Sequence, residues 1–478
     1  MFRFLEPALA VLQMVVLPLL LALGLRLQQG WANRWYTGVM VTGLLIILGH
    51  GLRIPQPVTF GVIILLTLGL YARARNTTQV RPPLATGERL AVTLLIAVLA
   101  IPAASAVLRA AHEPVVDWDA FAIWFAKARA VDTWVPVDQM PYRNYPELGP
   151  VLWMSTFKWM GPDYESVGRA IFPLLYFAWM ASLMDVFGRP YSLSATFAIL
   201  LSSLLVLDVR AVTSGYQDAF VLMGSGFAAS RLVQLLIASP SGTNALLQHL
   251  SEAPQRRELL RAGFLTGVVG LIKQEGTVLS LILTGAFMLV LLLSTRPSAW
   301  TKLPRALLPF LYAWLPTVTV WPAILALNQV DVRAIQGDGF TAGSILNAFQ
   351  EVDKWPHIRP FVTAHLESRL SLTIACGVGS VASFIVAPPS RRPIVFLWTI
   401  VGLHLAFVIL VFFSTREDLS WHLRTAFERL AQQAGFALLL LVFVTLTSLL
   451  QYWVAEIRRL RSALGASLAK ANSAALEG

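Results

Sequence analysis

Four short clusters of acids, bases and aromatics interrupt an otherwise apolar sequence. The first runs from Val115 to Arg129 and holds Asp117, Asp119, Lys127 and Arg129; Tyr142-Arg143-Asn144-Tyr145-Pro146-Glu147 follows it. The second is Gly215-Tyr216-Gln217-Asp218, and the third is Lys273-Gln274-Glu275-Gly276. The fourth spans Arg416-Glu417-Asp418-Leu419-Ser420-Trp421-His422, with Arg424 and Arg429 beyond it. Carboxylates beside bases suit a reaction in which an acid takes the proton of an attacking hydroxyl while cations hold a leaving phosphate. Arg grips phosphate as a planar fork and Lys as a point charge. Zinc chemistry, nucleotide hydrolysis and serine hydrolysis lack their signatures: there is no His/Cys cluster at zinc spacing, no Walker-type loop and no Ser-His-Asp motif. Without a nucleotide site, the driving energy arrives in the substrate or in a gradient.

The elements that carry these clusters follow from residue spacing. Over 115–129 a helix would stack Asp119, Ile123 and Lys127 on one stripe and Trp118, Phe121 and Phe125 on its neighbour. That pattern predicts a helix lying flat on a membrane surface, its acid and base turned into a cleft. A simple interfacial anchor, with Trp at headgroup level, has the same pattern. The third cluster sits inside an apolar run, 262–294, too long for one span and too short for two. Charges there face a cavity or water, so we expect a short helix, a polar break at 273–276 and a full helix back. A salt bridge locking two helices would also account for Lys273 and Glu275. In the fourth cluster His422, Thr425 and Arg429 share a helical face.

Composition puts these clusters in a membrane protein. Of 478 residues, 56% are hydrophobic and 13% charged, against about 25% charged in soluble domains; mean hydropathy is +0.66. Apolar runs near 8–27, 35–51, 56–72, 88–108, 167–187, 191–208, 217–238, 262–294, 305–327, 368–387, 393–413 and 431–453 are long enough to span. With 262–294 crossing and returning, they predict an all-α polytopic bundle of about thirteen membrane segments. The net charge of +11 concentrates in short loops: Arg73, Arg75 and Arg81; Arg256, Arg257 and Arg261; Arg296, Lys302 and Arg305; Arg391 and Arg392; and the tail with Arg458, Arg459, Arg461 and Lys470. The positive-inside rule places all five in the cytoplasm and needs no nucleic-acid partner. The stretches 109–165, 209–217, 328–367 and 414–430 then face outward, with the N-terminus out and the C-terminus in. The single cysteine, Cys376, excludes an internal disulfide framework. The first apolar run lacks a small-residue cleavage site and reads as a retained span.

Taken together, Trp118-Asp119-Ala120, Ile123-Trp124, Lys127-Ala128-Arg129, Tyr145-Pro146 with Pro150, Gly215-Tyr216-Gln217-Asp218, Lys273-Gln274-Glu275-Gly276 and Leu419-Ser420-Trp421-His422-Leu423 with Arg429 resemble the spaced motifs of bacterial GT-C membrane glycosyltransferases. The resemblance covers roughly 88–450. It departs from the family pattern at Gln217, usually Ala, at Glu147-Leu148-Gly149, usually leucines, and at Ala426, often Ser. It implies three spans at 1–85 outside the common core, a catalytic core at 86–455 with amphipathic juxtamembrane helices in its first large outer loop, and a cytoplasmic tail at 456–478. It also implies a multi-pass enzyme of a bacterial inner membrane whose site faces the periplasm. Such an enzyme moves a sugar from a polyprenyl-phosphate donor to a glycan, lipid or protein acceptor, inverting the anomeric carbon. On this reading Asp119 is the general base, with Asp117 its understudy; Lys273 and one or both of Arg429 and His422 stabilise the departing phosphate; Asp218 and Glu275 bind hydroxyls or orient Lys273. Lys127, Arg129, Tyr145, Tyr216 and Trp421 complete the substrate-binding set. No cofactor or metal is required unless the donor is a diphosphate, when a divalent ion would sit between Asp119 and Asp218 or Glu275.

Plainer roles stay open for several residues. Asp117 suits a solvated or capping position, Asp218 a helix N-terminus, His422 a structural histidine, and Lys127 and Arg129 contacts with lipid phosphate. Two other functions share the inventory: a flippase or transporter of lipid-linked sugars, and a polysaccharide polymerase or ligase using a diphosphate-linked chain.

Overall fold

The structure is a computed structural model that describes residues 11–25, 30–75, 86–115, 117–158, 162–186, 212–239, 243–331, 351–415 and 417–477. The expected span at 191–208, Arg81 and Arg416 lie outside them, as do Arg333 and Asp338 of the third outer loop. Every regular element among the described residues is a helix. That follows from the apolar runs, since a segment in lipid must satisfy its backbone internally.

The N-terminal part comprises α1 (Leu17–Gly24, entered through a π turn), α2 (Trp31–Gly51), α3 (Gln56–Arg75) and α4 (Thr86–His112). A π-helical turn, Ala120–Phe125, leads into α5 (Ala126–Asp132); α6 is Leu148–Phe157 and α7 is Ile171–Val186. Then come α8 (Gln217–Ala238), α9 (Thr243–Ser251), α10 (Ala253–Val269), α11 (Gln274–Ser294) and α12 (Leu303–Leu327). The last elements are α13 (Trp355–Ser368), α14 (Leu370–Val386), α15 (Arg391–Ser414), α16 (Leu419–Gln432) and α17 (Gly435–Glu477).

Among the described residues seven helices are long and apolar enough to cross a membrane; the bent pair α13–α14, kinked by 64°, makes an eighth if it is one span. Part of the difference from the sequence expectation is physical. α2 has the length to cross, but Asn33, Arg34 and His50 dilute its apolar character. The segment at 12–23 is a shorter apolar helix. The run 262–294 is broken, but three residues before the expected 273–276: α10, which already begins at Ala253, stops at Val269, residues 270–273 turn, and α11 starts at Gln274 with Glu275 and Gly276 in its first turn. Gly276 permits the close approach there, because a Cβ would lie 2.2 Å from the Val269 carbonyl oxygen.

Among the described residues α10 and α12 share the most extensive helix contact, and α8 packs on α10. α11 lies against α15, and α17 against α14 and α15. One continuous apolar core joins these helices, with Trp124, Trp153, Trp179 and Phe227 fully buried. A smaller cluster, including Ile358, Val362, Phe412, Leu423 and Phe427, fastens α13 to α16. The stretch 328–367 is therefore helical over 352–367 and seated on α16 there.

Candidate active site

Two helix beginnings meet at the centre of the site. Gly215 takes φ +90, a left-handed turn in which a Cβ would press on Trp153, and delivers the chain to the start of α8. This puts Asp218 in the first turn of α8, as Glu275 stands in the first turn of α11. Both carboxylates benefit from the positive ends of their helices. Lys273, extended just before α11, bridges them: its Nζ lies 2.9 Å from Asp218 Oδ1 and 3.1 Å from Glu275 Oε1.

Arg429 joins from α16. Its Nη1 lies 2.5 Å from Asp119 Oδ2 and 3.9 Å from Asp218 Oδ2, and its guanidinium stands 4.8 Å over the ring of Tyr216. Asp119, Asp218, Lys273, Glu275 and Arg429 thus form one connected ionic network, though up to 310 residues separate its members. Glu275 Oε2 is buried with no hydrogen-bond partner among the described residues. Tyr145 faces the same charges. Its phenol is pushed up by burial first and next by the negative charge of Glu275, so it stays protonated as a donor. Its ring meets Trp124 edge-on at 5.3 Å.

Other expected site residues stand apart. The stripe of Asp119, Ile123 and Lys127 does not open into one cleft. The π turn at 120–125 changes the helical register between the two charges, and Lys127 is fully buried. Lys127 donates to the Tyr145 carbonyl and lies 4.9 Å over the Trp321 ring. Burial pulls its ammonium down to about 8, partly offset by the Glu147 carboxylate. It positions the Tyr-Pro loop and reaches neither water nor the five-residue network. Arg129 is exposed, stacked 4.4 Å over Phe125 at the end of α5. Asp117 is half-buried, and its backbone carbonyl accepts from Phe121 N at 2.9 Å. Trp421 is exposed on α16. His422 is tethered through Nδ1 to Thr415 Oγ1 at 2.7 Å and packs on Phe412; Arg429 and Glu275 are close enough to act on its charge.

The structure also adds residues that sequence reading passed over. Gln433 is buried and donates from Nε2 to Asp218 Oδ1 at 2.6 Å, so that one carboxylate oxygen serves both an ammonium and an amide. Its only signal was a position four residues after Arg429. His50 and Glu147 form a fully buried pair at 2.8 Å, and His50 Nε2 contacts the Val135 carbonyl at 2.7 Å. Trp321 and Gln274 donate to the Asn144 carbonyl, at 3.2 and 3.3 Å. Together with Lys127 these groups lash 144–147 to α2, α5, α11 and α12. Glu147, an acid directly after Tyr145-Pro146, was the visible hint. Comparison of the chain with protein-family models, with curated proteins and with solved structures finds no match.

Proposed function

We propose that the chain is a polytopic glycosyltransferase of the GT-C type that uses a polyprenyl-phosphate sugar, with Asp119 as the general base. The observation that carries the reading is the Asp119–Arg429 contact at 2.5 Å, beside Lys273 held between two carboxylates. The five groups hold three acids and two bases. A donor phosphate entering such a site must take a cation from a carboxylate, since an added anion would otherwise find no free charge. Arg429 is the exchangeable one: it is 31% exposed against 11% for Lys273, and a single short contact holds it to Asp119.

The chemistry then follows. Phosphate on Arg429 releases Asp119 towards the acceptor hydroxyl. As that oxygen forms its bond to the anomeric carbon, its proton passes to Asp119. The bond from the anomeric carbon to the phosphate oxygen breaks on the opposite face, and the lipid phosphate leaves with the electron pair, held by Arg429 and Lys273. One displacement inverts the centre. Glu275 Oε2 and the Tyr145 phenol supply an acceptor and a donor for sugar hydroxyls. The reading includes a site at the outer face of a bacterial inner membrane, the side opposite the basic loops.

A panel of polyprenyl-phosphate sugars tests it. Asp119→Asn should lower transfer by roughly 10²–10⁴-fold while donor binding survives; full activity in that variant would remove Asp119 from the role of base. Transfer that persists in a chelator supports a monophosphate donor, and its loss points to a diphosphate-linked chain and a metal. The break between α10 and α11, with Lys273 and Glu275 at it, also favours a transporter of lipid-linked sugars, because interrupted helices line transport sites. Sugar movement across proteoliposomes without transfer, insensitive to Asp119→Asn, would select that reading.

A further inference from the structure

The last helix outruns the membrane. A span needs about 20 residues, so α17, starting at Gly435, leaves the hydrocarbon near residue 455 and continues unbroken to Glu477. It carries Trp453, just inside that boundary, and then Ile457, Leu460 and Leu464, all more than half exposed and with no cover among the described residues. They recur at intervals of four, three and four residues, the alternation of a seven-residue repeat that keeps one seam facing a partner helix. Their neighbours across the helix are Arg458, Arg459 and Ser462, which are exposed and polar.

We propose that this end of α17 is a parallel two-stranded coiled coil between two copies of the chain. Ile457 and Leu464 occupy a positions, and Trp453 and Leu460 occupy d positions. That register puts Glu456 at g and Arg461 at the following e. In a parallel pair g of one helix faces e five residues on in the other, so each copy offers the acid to the partner's base, twice by symmetry. Within one chain Glu456 has only a loose 3.6 Å contact to Arg459, itself 80% exposed. Two further facts favour a second copy over other occupants. Copies in one membrane share an orientation, so their projecting helices are parallel and level. A helix lying on the lipid surface would need a bend at the interface, and α17 continues there as one helix.

Cysteine cross-linking of the full chain in native membranes tests this, with the buried Cys376 as the only native thiol. Leu460→Cys, at the seam, should give a dimer-sized disulfide product on mild oxidation, and Ser462→Cys, on the opposite face, should not. In the Leu460→Cys background, Glu456→Arg or Arg461→Glu should each cut the product about fivefold, and the two together should restore it. Size-exclusion profiles of these surface variants report folding separately. Equal cross-linking at 460 and 462, none at 460 in folded protein, products with another protein only, or labelling of position 464 from within the lipid would each overturn the proposal. None of these outcomes depends on the sugar-transfer reading.

Discussion

At the scale of single residues, the network separates groups that exchange partners from groups that hold still. Asp218 is held by an ammonium, an amide and a more distant guanidinium, and acts as the fixed centre. Asp119 touches the network through Arg429 alone among the pairs formed here. Lys127 makes a different point. Its folded ammonium titrates near 8, below the 10.5 of an unburied lysine, because burial penalises the charge. The unfolded chain therefore binds more protons between those values, and stability rises with pH across that window as the penalty fades. Below about pH 8 the full penalty applies. We expect the thermal midpoint in detergent to climb from pH 8 to 10.5 in the wild type and to climb less in Lys127→Met. Parallel curves for the two proteins would mean that Lys127 is no more buried than an ordinary lysine.

At the scale of elements, the loop before α6 is held by the buried His50–Glu147 pair and by Leu148 N, which donates to the Leu271 carbonyl at 3.0 Å. The pair ties α2 to the segment that presents Tyr145. Removing one partner leaves the other buried and unsatisfied, which costs roughly 3–5 kcal/mol. Glu147→Leu and His50→Leu should each lower the unfolding midpoint strongly, whereas the two together should lower it by much less than their sum. Additive losses in that cycle would show that the two side chains are not coupled. A similar logic bears on where α11 begins: Lys273, at the break, is neutralised by Asp218 and Glu275 from the two helix starts.

For the whole molecule, sidedness decides what the site can reach. The proposed topology, with basic loops on one side and the charged network on the other, requires Arg257 and Asp353 to face opposite compartments. An impermeant thiol reagent should label Asp353→Cys in intact cells and Arg257→Cys only after permeabilisation. The reverse pattern would turn the network toward the cytoplasm and end the proposal of an outward-facing transferase. The α-helical packing also explains why chemistry can be assembled from such distant stretches. α8 contacts both α11 and α16, and Asp218, Glu275 and Arg429 stand in the first or last turns of these helices. Their terminal residues are thereby brought together without any local sequence relation.

Read linearly, the chain already shows a helical membrane protein, the break inside 262–294, and an inventory of acids and bases at the mouths of its helices. Those properties depend on sums over neighbouring residues: apolar length sets a span, and a charge inside one demands a cavity. Partner choice has no such local basis. Nothing near Asp119 says that it meets Arg429 rather than Lys127, or that Lys127 turns inward under the Tyr145 carbonyl. Gln433 and His50 gain their roles only because helices far apart in the chain pack side by side. Ionic contacts act over a few ångströms, and which groups come that close is settled by the shapes that fill the core between them.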